Sequence, residues 1–174
     1  MSYALIASRV LIGVVFLLAA GSKVIGPGAL RAFTGSVVAL QPFPRFPGRL
    51  TPALAAGILI AELAVPVLLM AGPAAPFGAA LAALLLTGFA AVLARAIGTG
   101  RDPQCRCFGA TTAGRGHVIR NLLLAAVALV VAFAGPAAPA HPAGVVLAIA
   151  AGTLLAALFA YADELSDLFA APTH

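Results

Sequence analysis

Thr51-Pro-Ala-Leu-Ala-Ala-Gly-Ile-Leu-Ile-Ala-Glu62-Leu-Ala-Val-Pro66-Val-Leu-Leu-Met-Ala71 is a nearly unbroken apolar run with one charge at its centre. About 20 apolar residues are what an α-helix needs to cross a bilayer. Thr51 reads as the N-cap and Pro52 as the first helical residue. An ionisable side chain at mid-bilayer costs about 2.5–3.5 kcal/mol on insertion scales, so Glu62 is expected to face the interior of a bundle and have a partner. It reads either as a proton path or polar wall of a cofactor site, or as a neutral or paired link between helices, with Lys23 and Arg120 as candidate partners.

The rest of the chain repeats the pattern. Of its 174 residues 63% are apolar and 9% charged, with a mean hydropathy of +1.11. A soluble domain of this size needs far more charge to cover its surface. Further spans read at residues 3–22, 76–97, 117–135 and 143–161, giving one all-α membrane bundle over 1–174 with no second domain. The first, with Arg9 near one end, has the look of a secretory leader because it ends in small residues; we read it as a transmembrane helix. Ala29 to Leu40 reads as a short amphipathic helix lying in the interface, and Pro42, Pro44 and Pro47 forbid its continuation. Asp163-Glu-Leu-Ser-Asp167 reads as a solvated tail. With no run of basic residues and none interleaved with aromatics, nucleic-acid binding is not expected.

Five spans put the first loop, the third loop and the C-terminal end on one side. Every basic residue except Arg9 falls on that side: Lys23, Arg31, Arg45, Arg49, Arg95, Arg101, Arg106, Arg115 and Arg120. The turns on the other side, Ala71 to Pro76 and Gly135 to Pro142, carry no charged residue. The positive-inside rule places the basic side in the cytoplasm.

The third loop, 98–116, holds the chain's only cysteines in Arg101-Asp-Pro-Gln-Cys105-Arg-Cys107-Phe-Gly109. One reading is two small apolar residues. A metal site with Cys105, Cys107 and His117 is a second, disfavoured because the surrounding arginines repel a cation and four good ligands are missing. The third is redox: thiolates are the reactive species, and neighbouring guanidinium groups such as Arg106 stabilise them. A disulfide between residues two apart closes a very small ring, and a strained ring is more easily reduced. His117, Arg120 and Asn121 are spaced about one helical turn apart and share a face. They read as contacts for a cofactor's oxygens, as proton carriers, or as headgroup anchors.

Cys105-Arg-Cys-Phe-Gly109 followed by Ile119-Arg-Asn-Leu-Leu-Leu124 resembles the MauE (methylamine utilisation) family of redox-associated membrane proteins, itself similar to DoxX-type four-helix proteins. Gly21-Ser-Lys23 with Pro27 and Phe33, and Ala61-Glu-Leu63 with Leu68-Leu-Met-Ala-Gly72, fit the same pattern over roughly residues 5–135. The resemblance implies a four-helix core with a fifth C-terminal span, and a role in forming or maintaining disulfides in an extracytoplasmic partner. Quinone-coupled thiol oxidases of the DsbB and vitamin K epoxide reductase type are similar bundles. This chain departs from them in having one cysteine pair, so an internal disulfide relay is impossible.

The resulting expectation is a thiol–disulfide oxidoreductase of the prokaryotic plasma membrane. Cys105 and Cys107 are its catalytic pair, with Arg106 stabilising the thiolates. A quinone (ubiquinone or menaquinone) is contacted by His117, Arg120, Asn121, Glu62 and Lys23. The partners are membrane lipid and a thioredoxin-like or other cysteine-containing extracytoplasmic protein. Oxidising chemistry puts the dithiol loop outside, against the arginine count. We side with the chemistry, since several loop arginines have a second use beside thiolates or quinone. The alternative from a different class is a non-catalytic membrane chaperone or scaffold; a transporter is weaker, for want of an inverted repeat.

Overall fold

The computed structural model describes residues 2–40, 48–99, 115–134 and 141–169. The described residues form six α-helices: α1 (Ser2–Val24), α2 (Ala29–Leu40), α3 (Thr51–Met70), α4 (Ala75–Gly98), α5 (Arg115–Phe133) and α6 (Pro142–Phe169). All but α2 are long and apolar enough to cross a membrane. Their outward faces are as apolar as their inward ones, with Leu17, Ile60, Phe77, Val130 and Leu154 all exposed, which suits lipid as the surrounding solvent. Hydroxyls within the spans are satisfied at home: Thr87 donates to the Ala83 carbonyl and Thr153 to that of Ile149. In a bilayer no water stands ready to take those bonds.

Helices α1, α3, α4 and α5 make the core, and α6 lies outside it against α1. The interior is lined by Ile12, Val15 and Phe16 of α1, Val65 and Leu69 of α3, Ala79, Ala82 and Leu86 of α4, and Leu124, Ala128 and Val131 of α5. Small residues let the backbones approach closely, the main source of helix association once lipid removes the hydrophobic drive. Gly78 shows how close: a Cβ there would lie 2.8 Å from the Leu68 Cβ and 2.9 Å from the Leu69 backbone nitrogen. The four-helix core with a peripheral fifth span is therefore as expected.

The seam between α1 and α6 is made the same way. A Cβ on Gly152 would come within 2.5 Å of the Ala7 carbonyl oxygen, and one on Gly144 would overlap the Tyr3 ring. The Tyr3 hydroxyl accepts the His141 backbone N–H at 3.1 Å. The start of α1 and the start of α6 thus share one end of the bundle, as five alternating spans require.

At the other end, α2 is set off from α1 by Gly26 and Gly28, whose φ angles of +114° and +81° only glycine adopts without strain. Its buried residues Phe33 and Val37 meet Ala55 of α3 in a small cluster apart from the main core. The short amphipathic helix expected at Ala29 to Leu40 is present with those bounds.

One local expectation is corrected. Thr51 does not cap α3: a 3-10 turn, Gly48–Leu50, leads straight into the helix, Leu50 holds the cap position, and Thr51 is a buried helical residue. Asp163 to Asp167, read as a solvated tail, falls within the last turns of α6. The polar residues there do not stop the helix, since nothing in that segment breaks it: Pro and Gly are absent from it.

Candidate functional site

Lys23 sits in the last turn of α1, beside the lipid-facing Val24 and Ile25. A lysine at a span end usually stretches outward to the headgroups. Here it turns inward. Its Nζ donates to both carboxylate oxygens of Glu62, at 2.6 and 2.7 Å, and both side chains are only 1% exposed. The pair therefore joins α1 to the middle of α3 across an otherwise apolar interior. Of the two partners the sequence allowed for Glu62, the structure selects Lys23.

Two aromatic rings complete the setting of the ammonium group. The centroid of Phe33, from α2, is 5.1 Å from Nζ, and that of Phe89, from α4, is 5.8 Å away. Such cation–π contacts contribute up to about 2 kcal/mol when desolvated. Sequence reading missed both rings. Phe33 appeared only as part of a family-like pattern, and Phe89 is one apolar residue among many in its span. Pro66 adds a further polar feature. It has no N–H to give the carbonyl of Glu62, one turn earlier, so α3 lacks a backbone hydrogen bond there.

A cleft opens between α1, α3, α4 and α5 at this pair. It is a small, partly open cleft whose cavity measures about 10 Å³, well short of the usual small-molecule site. That is room for about one water molecule. Lys23, Glu62 and Asn121 supply its polar wall; Val15, Phe16 and Leu86 are among its apolar lining. Asn121 is 8% exposed, and its side-chain amide has no hydrogen-bond partner among the described residues.

Of the residues read as cofactor contacts, then, Lys23, Glu62 and Asn121 are brought together. Arg120 is buried next to Asn121 near the head of α5, and His117, half-buried, lies one turn before it; neither lines the cleft. Cys105, Arg106 and Cys107 lie outside the described residues, in the segment that joins α4 to α5. Among the described residues no cluster of histidine, cysteine or carboxylate side chains is placed to hold a metal.

Chemically, the cleft is neutral overall and polar on one side. The carboxylate contacts engage two of the three ammonium donors, and the asparagine amide offers both a donor and an acceptor. That donor set suits one uncharged oxygen, such as the carbonyl of a quinone, with the apolar wall beside it for a ring or chain. Comparison with known proteins agrees with the sequence reading: the family model described as methylamine utilisation protein MauE matches residues 1–135. No curated protein and no solved structure matches the chain.

Proposed function

The chain belongs to the MauE family of membrane proteins, and from that membership we propose that it is a membrane thiol–disulfide oxidoreductase acting through Cys105 and Cys107. The observation that carries the reading is where the only dithiol falls. It lies in the segment joining α4 to α5, and near the start of α5 Asn121 lines the cleft that holds the buried Lys23–Glu62 pair.

A thiolate of a cysteine-containing extracytoplasmic protein attacks the Cys105–Cys107 disulfide and forms a mixed disulfide. The partner's second thiolate displaces the bound cysteine. The partner leaves oxidised, and Cys105 and Cys107 are left as a dithiol, with Arg106 stabilising the thiolate form. When Cys105 and Cys107 close again to the disulfide they release two electrons and two protons, for which a quinone, if bound, would be the acceptor. The residues available to hold it are those of the α5 head and the cleft: His117, Arg120, Asn121, Glu62 and Lys23. The chemistry requires the dithiol loop on the oxidising side of the membrane. Labelling intact cells with a membrane-impermeant thiol reagent tests that orientation.

The decisive experiment mixes the purified protein with a reduced dithiol peptide and a soluble quinone. Quinone reduction that disappears in Cys105→Ser and in Cys107→Ser supports the oxidoreductase. Turnover unchanged by both substitutions sinks it. Docking of a maturing protein with no turnover in the wild type supports a chaperone or scaffold instead.

A further inference from the structure

We propose that the cleft at the Lys23–Glu62 pair is a binding site for the oxygen-bearing head of a neutral, lipid-soluble molecule, and that Asn121 is its specificity-determining contact. Three observations converge. The first is the amide of Asn121, more than nine-tenths buried, lining the cleft and lacking a hydrogen-bond partner among the described residues. That amide faces the space of the cleft, where it can donate to or accept from an oxygen or hydroxyl supplied from outside.

The second is charge. The ammonium and carboxylate are matched one to one at 2.6 and 2.7 Å. An anionic or cationic head entering beside them would bring an uncompensated charge into the bundle, at a cost of several kcal/mol per buried ion. A neutral carbonyl or hydroxyl brings none.

The third is access and shape. All the lining residues belong to helices able to span the membrane, so a ligand dissolved in the bilayer needs no route through a polar loop. The cavity itself, about 10 Å³, takes about one oxygen-sized group. The body of the ligand must then lie in the open part of the cleft, against Phe16, Leu86 and the half-buried Phe89.

This site rests on the oxidoreductase reading only for the identity of its ligand, a quinone. It narrows five candidate contacts to three, leaving His117 and Arg120 outside. Binding is therefore measured without turnover, on the Cys105→Ser/Cys107→Ser double variant in nanodiscs, with a tritiated short-chain ubiquinone analogue. Saturable binding is expected, competed by unlabelled analogue and at least tenfold less well by palmitate. Asn121→Leu, similar in size and without polar atoms, is expected to weaken it at least tenfold. Ala19→Leu, which narrows the cleft from the α1 side, is expected to do the same. Both variants must keep the wild-type unfolding temperature in detergent for the loss to count, and Asn121→Gln, which keeps an amide, serves as the conservative control with binding nearer wild type. Absence of saturable binding, equal competition by palmitate, or unchanged binding in a stably folded Asn121→Leu protein each overturns the proposal. Intact, Asn121-dependent binding in a protein that reduces no quinone supports the cleft and sinks the oxidoreductase.

Discussion

Two seams of this bundle solve the same problem by opposite means. Between α1 and α3 the helices are joined by a buried ion pair, Lys23 to Glu62, ringed by phenylalanines. Between α1 and α6 no ion pair forms among the described residues; Gly144 and Gly152 let the backbones come so close that a single added Cβ would collide with Tyr3 or with the Ala7 carbonyl. The first seam is strong because each charge has nowhere else to go in a low-dielectric interior. The second is tight because shape alone permits contact. Dispensing with an ion pair suits a span that only frames the bundle. Retaining a charged pair beside an unpartnered amide, within the four-helix core, suits a place where something polar binds.

The contrast can be broken from either side. The largest effect is expected from unpairing the charges: Glu62→Leu or Lys23→Met alone leaves a buried ion without its partner, a loss of about 3–5 kcal/mol. Unfolding in mixed micelles should show it, and the double variant should recover most of the stability. Equal destabilisation by the double variant would mean that the pair is more than a mutual neutralisation. Next is Gly152→Val, which forces α6 away from the Ala7 carbonyl. Overpacking of this kind costs about 1–3 kcal/mol, and it should appear as weaker cross-linking between α1 and α6 while the Lys23–Glu62 seam stays intact.

A smaller loss tests the link between α2 and the interior. Phe33→Leu keeps the apolar contact with Val37 and Ala55 but removes the ring over Lys23, so a change of about 0.5–2 kcal/mol is expected. Protease access to α2 is the measurement. No change there would show that Phe33 serves only its small apolar cluster. The smallest effect is Tyr3→Phe, which removes the acceptor for the His141 N–H at one end of the α1–α6 seam. It should cost about 0.5–1.5 kcal/mol, read as faster amide exchange at the start of α6.

Much of this architecture was legible because lipid imposes simple rules. An apolar run of sufficient length in a chain with so little charge has few alternatives to a spanning helix, and the five spans lie within a few residues of where hydropathy placed them. Glu62 announced that it needed a partner. The partner's identity was not legible. Lys23 and Arg120 were both candidates, and the choice depends on how far each helix is rotated and where its side chain reaches, which hydropathy does not encode. The capping role read for Thr51 failed for a local reason: the Gly48–Leu50 turn already delivers the chain into the helix. Asn121 was read as part of a shared face with His117 and Arg120, yet only Asn121 reaches the cleft.

The sequence by itself determined that this is an all-helical, multi-pass membrane protein, since each span is specified by its own local composition. It also determined that the only thiol chemistry must come from Cys105 and Cys107, because no other cysteine exists. Tertiary structure alone decided that Lys23 turns inward to Glu62, that Phe33 and Phe89 flank it, and that Asn121 faces the same cleft. Those residues come from five different helices, and their meeting is a property of how the helices pack, which no single stretch of the chain carries.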